Sequence, residues 1–83
     1  MMQTSEVQEI LQQGLPGARV EVAGDGQHFE AVVISDRFEG LSPLQRQRIV
    51  NAVVQSYMDS GQLHALSSRQ RTPEEWAREQ GQG

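Results

Sequence analysis

The stretch ARVEVAGDGQHFEAVVIS, residues 18 to 35, constrains the fold more than any other part of this 83-residue chain. Val20 and Val22 alternate with Arg19 and Glu21, the period of a strand with one covered face. GDGQ supplies turn chemistry, and HFEAVVIS resumes as a second strand, so the two runs predict an antiparallel hairpin. The second run is apolar almost throughout, at Phe29, Ala31, Val32, Val33 and Ile34, which suits a central strand better than an edge.

Helical periodicity brackets this hairpin. In SEVQEILQQGL the apolar residues Val7, Ile10, Leu11 and Leu15 recur at helical spacing, with Thr4 or Ser5 as the cap and Gly14 with Pro16-Gly17 as the stop. DRFEG reads as a short irregular or one-turn connector. LSPLQRQRIVNAVVQSYMDSG is the clearest helix: Ser42 caps it, Pro43 fits its first position, and Gly61 stands where a left-handed residue ends a helix. Ile49, Val50, Val53, Val54 and Tyr57 form its apolar stripe. QLHALSSR predicts a third short strand. TPEEWAREQ opens a last helix with Thr72 and Glu75 in capping-box register and Trp76 as its core anchor. A strand-helix-strand step is normally a right-handed crossover, so the third strand should run parallel to a strand of the hairpin. The expected fold is α+β: one small domain over residues 1–83, ordered from about 4 to 79 with a short flexible tail at 80–83. A three-stranded mixed sheet carries helices on one face and leaves the other open.

Composition narrows what such a domain can do. Apolar residues make up 36% of the chain, and no apolar run approaches the roughly 18 residues that would cross a bilayer. The N-terminal MMQTSEVQEI has neither a basic start nor a long apolar segment, so a cytoplasmic location is expected and no membrane partner. Eleven acidic residues against seven basic ones, all Arg, give a net charge of -4, a poor starting point for strong non-specific binding of nucleic acid. Cysteine is absent, which removes disulfides, thiol nucleophiles and any self-contained thiolate metal site. No nucleophile is paired with a base, so no catalytic constellation is recognisable and the chain does not read as an enzyme. The glycines of AGDGQH join two strands and lack a P-loop lysine, which favours a hairpin turn over a phosphate cradle.

Two places hold candidate chemistry. The first is the histidines. His64 lies between Leu63 and Ala65 on the expected third strand, and if Leu63 points to the helices, His64 points to the open face. It is a packing or surface imidazole, a metal ligand or an acid/base group. His28, at the start of the second strand, and Asp25, in the turn, add N and O donors that would interest a metal; otherwise they are strand-edge and turn residues. The second place is RFEGLSPLQRQR, where a glycine-bearing turn enters a helix N-terminus. Gly40, Ser42, Arg37, Arg46 and Arg48 offer N–H groups and cations to phosphate, against the plainer alternative of a capped helix with a solvated face.

Together GDGQHFEAVVISDRFEGLSPLQRQRIV and LHALSSRQRTPEEWARE resemble the BolA family, and the short GDGxHF turn is most similar to its IbaG-like branch. The resemblance covers about residues 5 to 79. It implies a fold similar to the class II KH domain and partnership with a monothiol, CGFS-type glutaredoxin, through a bridging [2Fe-2S] cluster or an apo complex. It also implies roles in cluster assembly, trafficking or iron-dependent regulation, and in stress response. In that family the histidine of the HAL segment is the shared cluster ligand, which makes His64 the corresponding residue here. A second ligand, Cys or His, comes from the loop between the first two strands; here Asp25 occupies the place where a Cys often stands, and His28 is the nearby imidazole. Because such a cluster takes four donors, usually thiolates, a chain without cysteine must borrow them, from the glutaredoxin and glutathione the resemblance supplies. The family also contains transcriptional regulators, so weak DNA binding by the KH-like turn and long helix is the alternative expectation. Alone, the chain is expected to be a monomer or a weak homodimer.

Overall fold

The structure, a computed structural model, describes residues 2–81. Its elements follow the expected order: α1 (Thr4–Gly14), β1 (Arg19–Gly24), β2 (His28–Ile34), a 3-10 turn (Asp36–Phe38), α2 (Pro43–Asp59), β3 (Ala65–Arg71) and α3 (Pro73–Gly81). The sheet order is β1-β2-β3. β2 is central, antiparallel to β1 with Val22 opposite Ala31, and parallel to β3 with His28 opposite Ala65 and Val33 opposite Gln70. Both strand-pairing expectations therefore hold.

The core lies on one face of this sheet. Val20, Phe29, Ala31 and Val33 meet Val7 and Leu11 of α1 and Val50 and Val54 of α2, with Phe38 and Leu63 closing the two ends. Ile34 is also buried but lies outside that cluster, as its place on β2, one residue out of phase with Val33, requires. Where α1 and α2 cross, Gly14 is the residue that lets them approach: a Cβ there would sit 2.5 Å from Val53 Cγ1.

The helix ends are set by local hydrogen bonds. Ser42 Oγ accepts from Gln45 N at 3.2 Å and Gln45 Oε1 accepts from Ser42 N at 2.8 Å, a reciprocal cap with Pro43 directly after it. Thr72 and Glu75 do the same for α3, at 2.9 and 3.1 Å. Gly61 takes the left-handed conformation expected of it, φ +81°. For α1 the cap falls one residue earlier than Thr4: Gln3 N donates to Glu6 Oε1 at 2.9 Å, because a carboxylate three residues on satisfies that N–H and leaves Thr4 and Ser5 free to join the first turn.

Three other expectations are corrected. The third strand begins at Ala65, not Gln62, since Gly61 and Leu63 are still tied by their N–H groups to Met58 O and Tyr57 O at the end of α2. Trp76 is only half-buried and lies outside the core cluster; α3 buries no residue and is held mainly by polar contacts. Gln80 and Gly81, expected in a flexible tail at 80–83, belong to α3; residues 82–83 lie outside the described residues.

β1 and β3 are both edges, and side chains cover part of each. Gln8 Nε2 donates to Val20 O at 3.0 Å and Gln12 Nε2 donates to Ala18 O. On the other side Gln70 O accepts from Arg71 at 2.9 Å and from Arg46 at 3.5 Å.

Candidate functional site

The β1–β2 turn is built by Asp25. Its Oδ1 accepts from Gln27 N and His28 N, each at 2.9 Å, while Asp25 N donates to His28 O at 3.2 Å. Gly26 supplies the positive φ, +96°. Two backbone N–H donors favour the charged form of a carboxylate, so Asp25 is held below its ordinary 3.8, with His28 N–H the largest cause and Gln27 N–H the next. One oxygen of Asp25 is thus engaged in folding the turn, and Oδ2 carries no hydrogen bond among the described residues.

His64 is fixed from both sides while its own ring is free. Leu63, at 1% exposure, is locked in the core, and its N–H donates to Tyr57 O at 3.0 Å. Ala65 pairs with His28 in the sheet register. Between these anchors His64 is exposed, and among the described residues no side-chain hydrogen bond or ion pair involves it. It does not lie on the sheet's open face, as strand alternation implied. It precedes the strand, so alternation does not apply, and it shares a shallow depression with Met2 and Glu6 of the helical layer and with Gly61 and Gln62.

His28, by contrast, is on β2 in phase with Glu30 and Val32, on the face away from the core. Asp25 lines a separate depression with Gly24, Gly26, Met2, Gln3 and Thr4. The fold therefore brings Asp25, His28 and His64 to one end of the sheet without converging them. Among the described residues no three His, Cys, Asp or Glu side chains gather as a metal ion would need.

At the opposite end of α2, the residues expected to face phosphate divide. Arg46 is not a free cation. Its Nε donates to Leu41 O at 3.0 Å, its two terminal nitrogens reach Glu75 at 2.7 and 3.3 Å, and its guanidinium lies 6.0 Å from the Phe38 ring centroid. Five donors in a planar fork suit such multiple contacts, and they leave little to offer a ligand. Ser42 is likewise spent on its cap, and Gly40, with φ +75°, makes the turn that precedes it. Arg37 and Arg48 remain exposed, with no side-chain partner among the described residues.

Sequence reasoning missed Met2 and Glu6. Met2 precedes the first helical repeat, and Glu6 is a polar position outside its apolar stripe; only the fold sets them beside His64. No helix among the described residues is long and apolar enough to cross a membrane.

Comparison with known proteins gives consistent matches over nearly all of the chain. The family model described as BolA-like protein matches residues 6–75. Acid stress protein IbaG of Escherichia coli is 35% identical over 78 residues, which span 94% of this chain and 93% of that protein. Among solved structures, a bolA protein homologue from Coxiella burnetii superposes with a TM-score of 0.86 at 42% identity, covering 94% of this chain and 100% of that one. The BolA domain of SufE1 from Arabidopsis thaliana gives 0.74 at 31% identity, over 87% and 93%.

Proposed function

Because the chain belongs to the BolA family, in its IbaG-like branch, we propose that it is a non-enzymatic adaptor that binds a monothiol CGFS glutaredoxin and takes part in the assembly, trafficking or iron-dependent regulation of [2Fe-2S] clusters. The observation that carries this reading is His64: an exposed imidazole on an anchored backbone, with no hydrogen bond of its own among the described residues. A ring held this way keeps its ring nitrogens available to an incoming partner.

The donor set fits a shared cluster rather than an owned one. Such a cluster takes four donors, usually thiolates, with imidazole able to replace some of them. This chain has no thiolate and gathers no cluster of ligating side chains among its described residues. The glutaredoxin Cys and glutathione would therefore supply sulfur, His64 would supply nitrogen, and Asp25 Oδ2 or His28 is the remaining group at the same end. Only neutral imidazole binds metal, so metal and proton compete for such a ligand. The name of the Escherichia coli relative, an acid stress protein, supports a stress-related setting.

Mixing the protein with a cluster-loaded CGFS glutaredoxin should change the visible absorption and circular dichroism spectra, and His64→Ala should lose that change. Identical spectra for the two proteins would remove His64 as a ligand. The alternative, a DNA-binding regulator, now rests on Arg37 and Arg48, since Arg46 and Ser42 are engaged internally.

A further inference from the structure

Two shallow depressions flank the candidate ligands, and one residue belongs to both. Met2 lines the first with Gly24, Asp25 and Gly26, and the second with Glu6, Gly61, Gln62 and His64. It is 9% exposed and a member of the contiguous apolar core. Its backbone is followed at once by a fixed turn: Gln3 O accepts from Glu6 N and Val7 N, at 3.0 and 3.1 Å, and Gln3 N donates to Glu6 Oε1.

From this we infer that Met2 is a positioning residue, the spacer that sets the separation between the Asp25 turn and the His64 segment. The inference rests on the reading of His64 and Asp25 as the residues that face a shared cluster. The physical argument is one of packing. The two segments meet in the sheet at the pairing of His28 with Ala65; Asp25 is bonded within its own turn, and Gly61 and Leu63, before His64, are bonded to the end of α2. Beyond that pairing, Met2 is the residue common to the depressions at both segments, so its side chain is placed to couple their positions. An unbranched thioether with three rotatable bonds fills an irregular gap of this kind well. Its removal would leave a space that the surrounding atoms close only in part, and both loops would relax toward it. Leucine, of similar volume, would keep the spacing.

Amide ¹H–¹⁵N spectra of the protein alone test this for Met2→Ala and Met2→Leu. In Met2→Ala, shift changes should appear together at Gly24 to His28 and at Gly61 to Ala65, beyond the first turn of α1, while Met2→Leu stays close to the wild type in both. Changes confined to α1 would overturn the assignment. With cluster-loaded CGFS glutaredoxin, Met2→Ala should weaken the His64-dependent circular dichroism change severalfold at temperatures where it is fully folded, with Met2→Leu restoring it. An undiminished signal in Met2→Ala would overturn the spacer role. Absence of any His64-dependent signal in the wild type, with the paired amide shifts present, would remove the cluster reading and leave Met2 as the spacer.

Discussion

Arg46 and Glu75, 29 residues apart in sequence, meet through two contacts of 2.7 and 3.3 Å, and the same Glu75 oxygen that takes the shorter one also accepts Thr72 N at 2.9 Å. One carboxylate thus caps α3 and ties it to α2. Because α3 buries no residue, this junction and the Arg71–Glu79 pair carry much of its attachment.

The Arg46 hydrogen bonds, first, and the Thr72 N–H, second, lower Glu75 from 4.5 to about 2. A depressed carboxylate contributes stability that is fully present above the unfolded value and is lost as pH falls through the folded one. The urea midpoint of the wild type should exceed that of Glu75→Gln at neutral pH, and the gap should close between pH 4.5 and about 2. A gap that persists unchanged at pH 2 would show that the charge is not responsible.

Arg46→Ala should destabilise more than Arg48→Ala, because it strips donors from Leu41 O, Gln70 O and Glu75 at once, whereas Arg48 has no side-chain partner among the described residues. Urea midpoints of the two variants make the comparison. In a salt titration of duplex DNA binding, any contribution of this surface should disappear in Arg37→Ala/Arg48→Ala. Binding that survives that double change, or no binding at low salt, rules out the phosphate surface.

His64→Ala should leave stability within about 0.5 kcal/mol of the wild type, as for a surface substitution away from packing and caps, while abolishing the glutaredoxin-dependent spectral change. A melting curve read beside the cluster spectrum separates the two effects. A large loss of stability would return His64 to a structural role.

Asp25→Ala should speed amide hydrogen exchange at Gln27 and His28 severalfold, since both donors lose their acceptor. In the wild type the protection of both amides, read against their intrinsic exchange at each pH, should fall as pH drops below 3.8, the contribution of a lowered carboxylate being present above that value and lost on protonation. Asp25→Cys offers a thiolate at the same place, and its cluster spectrum with glutaredoxin should differ from that of the wild type. An unchanged spectrum would exclude this position as a ligand.

Gly14→Ala pits propensity against packing. Alanine favours the helix by about 1 kcal/mol, yet its Cβ would lie 2.5 and 2.9 Å from the two methyl carbons of Val53, a β-branched side chain with little freedom to yield. Overpacking typically costs roughly 1 to 3 kcal/mol, so net destabilisation is expected, and Val53→Ala in the same chain should relieve part of it.

The hairpin turn, the capped start of α2 and the Thr72–Glu75 cap were legible because each rests on neighbours within four residues. β3 was placed three residues early because its core-facing side is polar: Ser68 and Gln70 bond to Gln47 of α2, at 3.1 and 3.2 Å, and that network leaves no apolar alternation to read. Arg46 looked free because its partner lies beyond the reach of any local pattern. The candidate residues His64 and Asp25 could be picked out by type, but not their placement, since the phase of His64 depends on where the strand begins and the place of Met2 on how α1 returns to the sheet.

A small sheet with two open margins risks joining its neighbours, for unpaired backbone groups in a row are a template for a further strand. Here Gln8 and Gln12 stopper the β1 margin, and Arg46 and Arg71 stopper the last outward carbonyl of β3. A second chain pairing at those carbonyls would have to displace a side-chain amide or guanidinium first. Gln8 and Gln12 of α1 thus occupy acceptors that an added strand beside β1 would need.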